Sequence, residues 1–266
     1  MAKISVIMGV YNCKNTDLLL KSVNSIINQT FKDWEFLICN DGSSDNTLSV
    51  LNDVAKLDKR IKILSYDKNH GLAYALNYCL KQAEGEYIAR QDDDDFSLPE
   101  RFEKQADFLD KNIEYDLVGS NADVYNDSGI WGEFIVDERP VKKTFFWNNP
   151  FIHPVIMIRK NSIDKINGYR VAKETRRCED YDMFMRLYSK KMKGYNIQEK
   201  LYLYRIENDP KKCYRPMKYR IDEAVVRFKG YKNMGVLFRG FPYVLKPVLI
   251  GLIPQRLFYK IKKKQY

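Results

Sequence analysis

Four consecutive carboxylates, Asp92-Asp93-Asp94-Asp95, follow Arg90-Gln91 in this chain. Side chains so crowded repel one another by roughly 1 kcal/mol or more per close pair even in wet surroundings. On a flexible tail the run would be a solvated acidic stretch. Here it follows the apolar run Glu86–Ala89 and precedes a helix-start pattern, which puts it at the carboxyl edge of a sheet, where open α/β folds bind ligands. Hard oxygen ligands at that edge suit Mg²⁺ or Mn²⁺, and such a cation clamped on a diphosphate relieves the repulsion and assists departure of the diphosphate. The competing reading is a helix N-terminus whose macrodipole favours acids, and the run alone does not choose. Asp41 lies at the end of another apolar run, beside Gly42 and Ser43. A carboxylate there can accept from a base N–H or ribose hydroxyls, or simply close an Asx-turn. No G-x-x-x-x-G-K-[ST] and no G-x-G-x-x-G occurs, which argues against ordinary kinases and dehydrogenases.

The elements that must position these groups alternate in type. Lys3–Val10 reads as a strand, Asp17–Asn28 as a helix with Leu18, Leu19, Val23, Ile26 and Ile27 on one side, and Trp34–Cys39 as a second strand. The loop Asn40–Asp45 offers Ser44 or Asp45 as cap for a helix reaching about Leu57. Strand Ile61–Tyr66, a helix to Ala83 stopped by Gly85, and strand Glu86–Ala89 complete a pattern that implies a parallel sheet. Ser97-Leu98-Pro99-Glu100 then predicts a helix with Ser97 as N-cap and Glu100 at capping-box spacing. Further on, Leu117–Tyr125, Glu133–Val136, Phe151–Ile158 and Leu201–Ile206 read as strands, and Arg177–Met192 as a helix. Beyond Asp209-Pro210 the composition turns basic and aromatic, which marks the expected end of the main domain.

At 266 residues the chain holds one large α/β domain with a modest appendage. Its net charge of +10 is unevenly placed: Lys211–Tyr266 carries 15 Lys and Arg against Asp222 and Glu223 alone. The five cysteines form no C-x-x-C pair and no zinc-ligand spacing, a pattern of reduced thiols in a cytosolic protein. Met1–Val10 lacks the make-up of a signal peptide. Phe241–Tyr259 is apolar but is interrupted by Lys246, Pro247, Gly251, Pro254 and Arg256, and with Lys260 and Lys262–Lys264 it fits a segment lying in the interface of an anionic membrane leaflet. The alternatives are packing on the main domain, or nucleic-acid binding, for which no recognition motif is visible.

In order along the chain, Ser5–Asn12, Asn40–Thr47, Asn69-His70-Gly71-Leu72, Gly85–Arg90, Asp92–Asp95 and Glu179-Asp180-Tyr181-Asp182 resemble glycosyltransferase family 2, particularly its bacterial capsule and exopolysaccharide branch with the amylovoran-type transferases. The resemblance covers about residues 3–207. It implies a GT-A nucleotide-sugar-binding fold, Rossmann-like with a mainly parallel sheet, and a basic helical C-terminal extension. The expected organisation is a catalytic domain at 1–209, its donor half 1–95 and acceptor half 96–209, then a membrane-associating segment at 210–266. Gly9 stands where the family usually has Pro, which implies a more flexible loop toward the nucleotide.

The resemblance also implies roles. Val10 and Tyr11 line the base pocket and Asp41 binds the base; Asp92 faces ribose or metal, and Asp94 is the main ligand of Mn²⁺ or Mg²⁺ in a D-x-D motif. Asp95 orients Asp94 or meets the donor sugar, and Arg90 offsets the acids or reaches phosphate. Asp180 is the base for an inverting displacement, and Glu179 orients it. His153 falls near the acceptor, although a lone His before Pro is more often packed than catalytic. Phe145, Phe146 and Trp147 offer a stacking platform for sugar, or core. The implied substrates are a nucleotide-diphosphate sugar, with UDP expected, and a lipid-linked oligosaccharide acceptor, at the inner face of the cell membrane; oligomeric state stays open. The alternatives are a nucleotidyltransferase making nucleotide-sugars, which should show a Gly-rich basic loop where Tyr11-Asn12-Cys13-Lys14 stands, and a non-catalytic nucleotide- or sugar-binding subunit.

Overall fold

The computed structural model describes residues 2–206 and 215–253. Strands β1 (Ile4–Val10), β2 (Trp34–Asp41), β3 (Ile61–Tyr66) and β4 (Tyr87–Arg90) pair in parallel in the order β3-β2-β1-β4. Helices α1 (Thr16–Ile27), α2 (Thr47–Val54) and α3 (Leu72–Gln82) make the connections. All of β2, and β1 apart from Gly9, is buried, as expected for parallel strands covered on both faces. One face packs Val6, Met8 and Phe36 on α1, α2 and α4 (Arg101–Lys111). The other packs Ile7, Leu37 and Ile88 on α3 and α6 (Glu179–Ser189).

Beyond β4 the sheet becomes mixed. It continues through β8 (Met157–Arg159), β6 (Leu117–Asn126) and β9 (Gly194–Arg205) to β5 (Phe96–Ser97), with β7 (Gly129–Phe134) hairpinned to β6. Every parallel strand of the first half ends at one edge, so Asp41 at the end of β2 and Asp92–Asp95 after β4 emerge together, as the pattern predicts.

Several sequence expectations change. Ser97 is no helix cap: it lies in β5 against Tyr202, its hydroxyl donates to Gln91 Oε1 at 2.8 Å and accepts from Arg101 at 2.7 Å, and α4 starts only at Arg101. A buried network took the residue that local chemistry offered to the helix. Phe151–Ile158 is not one strand, because His153–Val155 form a 3₁₀ turn around Pro154 and pairing begins at Met157. The strand expected at Glu133–Val136 begins at Gly129, with Gly129 at φ 109° opening the hairpin. Asp45 does satisfy the start of α2, accepting from Thr47 N at 3.0 Å. Gly9 loosens nothing: it sits inside β1, where an added Cβ would meet Leu72 at 3.0 Å and Ala75 at 3.1 Å, so its small size lets α3 lie close on the sheet.

The basic C-terminal part is helical, with α7 (Met217–Asn233), α8 (Leu237–Val244) and α9 (Lys246–Gly251). Val226, Tyr231 and Met234 join the same core as Phe145, Tyr181 and Met185. Gly230 lets α7 approach α6, since a Cβ there would lie 2.2 Å from Met185 Sδ. The expected boundary at Asp209-Pro210 and the basic run from Lys260 lie outside the described residues. Among the described residues no helix is long and apolar enough to cross a membrane.

Candidate active site

The acid run forms a tight turn between β4 and β5. Beneath it Arg90, 1% exposed, pairs with Asp92 and donates to Gln91 O. Arg90 therefore offsets the acids from inside the protein, and its guanidinium is not at the surface to reach a phosphate. Arg101, also wholly buried, braces the turn through Arg90 O, Gln91 Oε1 and Ser97 Oγ; burial pulls its pKa down to about 10. Asp95 points inward, accepting from Arg205 N at 2.7 Å. Its Oδ2 is buried with no hydrogen-bond partner. Asp94 is the exposed member, and Tyr125 donates to its carbonyl. Desolvation, then the neighbouring acids, pushes Asp93 up to about 7 and Asp94 up to about 6. A cluster with an orphaned carboxylate oxygen and raised pKa values is one that a cation would relieve. Among the described residues no three acidic, His or Cys groups already converge on a cation site.

Asp41 is 3% exposed and its carboxylate is fully engaged. Oδ1 accepts from Tyr66 Oη (2.7 Å) and His70 N (2.9 Å), Oδ2 from Asn69 Nδ2 (2.8 Å) and Gly71 N (2.9 Å). It thus pins the loop entering α3, which also needs Gly42 at φ 61°, where a Cβ would lie 2.2 Å from Lys68 backbone. Of the two residues expected to line the base pocket, Val10 is buried in the core and Tyr11 is half-exposed.

Across the site, the first turn of α6 supplies Glu179 and Asp180. Asp180 Oδ2 accepts from Asn149 Nδ2 at 2.7 Å and Oδ1 from Tyr181 N at 2.7 Å. Burial raises both pKa values, and Glu179, with Asp180 beside it as second cause, reaches about 7. Tyr169 ties the two halves together: its hydroxyl feels Arg90, Asp180, Glu179 and Asp92, and lies 2.8 Å from His153 Nε2. Burial, then Arg90, holds His153 well below its ordinary pKa, so the ring is neutral and packed against Tyr169 and Phe184. The aromatic platform divides. Phe145 is core, Phe146 stacks on Tyr243, and Trp147 alone is exposed, with Lys246 over its ring.

Asn149 and Tyr169 were not singled out in the sequence. Asn149 precedes Pro150 and Tyr169 follows Gly168, at φ 64°; those neighbours mark turns but not what the turns serve.

The sequence model described as "Glycosyl transferase family 2" matches residues 5–167. The chain is 38% identical to the putative glycosyltransferase EpsE of Bacillus subtilis (strain 168), over 99% of this chain and 94% of that protein. It is 27% identical to an Escherichia coli UDP-Gal:alpha-D-GlcNAc-diphosphoundecaprenol beta-1,3-galactosyltransferase, over 98% of this chain and 96% of that one. In three dimensions it superposes on S. aureus TarS 1–349 in complex with UDP-GlcNAc with a TM-score of 0.71 at 18% identity, covering 98% of this chain and 79% of that one. The fold is accordingly the GT-A type.

Proposed function

The chain belongs to glycosyltransferase family 2, and from that premise we propose that it moves a sugar from a nucleotide-diphosphate donor, UDP-linked, to a polyprenyl-diphosphate-linked acceptor, with inversion, in bacterial capsule or exopolysaccharide assembly. The carrying observation is that buried Tyr169 lies within electrostatic reach of Asp92 in the acid turn and of Glu179 and Asp180 at the start of α6. One set of carboxylates would hold a cation that neutralises charge on the donor diphosphate, and the other takes a proton from an attacking hydroxyl. The acceptor chemistry is that in the name of the E. coli relative.

In this reading Tyr11 stacks along the base, and Asp41 meets it by exchanging one of its loop bonds. Asp94 with Asp92 would hold Mn²⁺ or Mg²⁺, which when bound neutralises charge on the diphosphate. Arg90 pairs with Asp92 and holds it in place. Asp180 is the base, set by the hydrogen bond from Asn149. Its single acceptor proton passes to the carboxylate as the hydroxyl oxygen attacks the anomeric carbon and the donor diphosphate departs. Neutral His153 buttresses Tyr169 rather than exchanging protons.

The protein works against the inner face of the cell membrane. Phe238, Phe241, Leu245, Leu249 and Leu252 are all exposed on α8–α9 and its end, at spacings of three and four that form one stripe. Arg239 beside them and the basic sequence after residue 253 suit anionic lipid.

The deciding experiment is a donor screen with Mn²⁺ or Mg²⁺ and a lipid-diphosphate sugar acceptor, following release of nucleoside diphosphate and the linkage configuration by NMR. A product of opposite anomeric configuration to the donor is expected. Retention, or release of inorganic pyrophosphate in place of nucleoside diphosphate, would refute the reading.

A further inference from the structure

A cleft of about 790 Å³ opens between the loop at 69–73 and the segment 171–177. Lys173, Arg176 and Arg177 line it, with Glu179 as its only acid among the described residues and Tyr219 of α7 in its wall. The surrounding cations are neutralised: Arg170 pairs with Glu174 and Asp182, Arg186 with Asp182, Lys229 with Glu174, and Arg215 with Glu223. Lys173, Arg176 and Arg177 make no ion pair among the described residues and are exposed. Arg177 is held at φ 63°, a region that bulky residues adopt at a cost. Its carbonyl accepts from Arg215 at 2.9 Å and its guanidinium stands 5.7 Å from the Tyr219 ring, which Lys218 also approaches. Unpaired cations gathered in a concave site, one of them on strained backbone, are the arrangement expected for an anionic ligand.

The anion is not the one at the acid turn, because none of Asp92–Asp95 lines this cleft. It opens instead beside Glu179, next to Asp180, where an acceptor hydroxyl has to lie. Its Tyr219 wall leads to lipid: α9 packs on the first turns of α7, with Gly251 against Met217 and Arg220, and carries exposed Leu249 just before the exposed Leu252. We propose that Lys173, Arg176 and Arg177 bind the diphosphate of the lipid-linked acceptor, so that the enzyme grips the carrier's phosphates on one side of the base and the donor's on the other. This rests on the reading of the acceptor as a polyprenyl diphosphate-linked sugar.

The test uses the full chain and binding readouts that need no turnover. Farnesyl diphosphate, farnesol and UDP with Mn²⁺ are titrated by calorimetry into wild type, the double variant Lys173→Ala/Arg176→Ala, and Arg176→Lys, with matching thermal melts to establish folding. Farnesyl diphosphate should bind wild type, lose about tenfold or more in the double variant, and be largely kept by Arg176→Lys; farnesol and UDP binding should be unchanged. Equal loss of UDP binding would give the cleft to the donor's diphosphate and overturn the proposal. So would farnesyl diphosphate that fails to bind wild type, or binds the double variant as well as wild type. Failure of the transferase reading itself appears elsewhere, as no nucleoside diphosphate release by wild type from any donor.

Discussion

Replacing Glu179 with Gln separates the two carboxylates that open α6. Glu179 is raised from 4.5 to about 7, first by desolvation and then by Asp180. Two charges ~6 Å apart at an effective dielectric of ~20 to ~40 interact by ~1.4 to ~2.8 kcal/mol, about one to two pK units. Asp180 is raised as well, and the pair titrates as a unit. The coupling falls on Glu179, which loses its proton second; Asp180 ionises while Glu179 is still neutral, its own rise coming from burial. If Asp180 is the base, the acid limb of kcat/KM in Glu179→Gln should therefore stay within about half a pH unit of wild type, and the plateau within about tenfold. Asp180→Asn keeps the shape, loses the proton acceptor, and should lower the plateau by about 10²-fold or more with donor nucleotide affinity unchanged. The assay is nucleoside diphosphate release from pH 5 to 9 at saturating metal, with nucleotide binding measured in parallel. A plateau lost in Glu179→Gln and kept in Asp180→Asn would exchange their roles. An acid limb that moves down by about one pH unit or more in Glu179→Gln would mean that Glu179 ionises first and sets it.

Asn149→Ala removes the hydrogen bond that favours ionised Asp180, so the acid limb should move up, and a profile identical to wild type would deny Asn149 a positioning role. A carboxylate whose folded pKa is raised binds more protons folded than unfolded, so its contribution falls as pH climbs from about 4.5 to 7 and stays low above; in EDTA the melting temperature should drop across that window by an amount worth ~1–2 kcal/mol after screening, and Glu179→Gln should flatten the drop. Gly230→Val drives a side chain into Met185 and should cost ~1–3 kcal/mol, a few degrees of melting temperature; an unchanged melt would mean that α7 is not docked as described. Phe238→Glu/Leu249→Glu should abolish flotation with anionic vesicles at unchanged melting temperature, and retained flotation would remove the stripe from the membrane contact.

The parallel half of the fold was legible because each apolar run ends in turn chemistry and the next segment changes period: Trp34–Asp41 into Gly42-Ser43, and Tyr87–Arg90 into the acid run. The acids, Asp41 and Asp180 were legible as residue types at element ends. What failed did so where a distant partner outbid a local rule. Ser97 reads as a cap until Gln91 and Arg101 claim its hydroxyl. Asp41 reads as a base or ribose acceptor or as an Asx-turn, yet Tyr66, Asn69, His70 and Gly71 converge on it across 25 to 30 residues of chain. Asn149 and Tyr169 carry no local mark of their role, since each acts through an element brought up from elsewhere. Basic composition drew attention to the C-terminal part as a surface segment and hid the apolar inner face of α7, where Val226, Tyr231 and Met234 are interleaved with Arg227, Lys229 and Lys232.

The acid turn makes sense only as a site left incomplete by the protein. Arg90 is buried beneath four carboxylates and forms its ion pair with Asp92 alone. Arg101, which could have balanced a second, is spent on carbonyl, amide and hydroxyl oxygens that fix the turn's shape. Asp93 and Asp94 are left at raised pKa and Asp95 with a bare buried oxygen. A structure selected for stability alone would have paired or replaced them. With its one direct ion pair spent on Asp92, the edge stays acidic, and in the proposed reading it would take a divalent cation with coordination positions left open for a diphosphate. The opposite sign is laid out at the cleft of Lys173, Arg176 and Arg177, exposed cations that make no ion pair among the described residues. Charge left unbalanced in both directions on either side of Glu179 and Asp180 is what an enzyme needs if two phosphate-bearing substrates are to meet at one base without exchanging places.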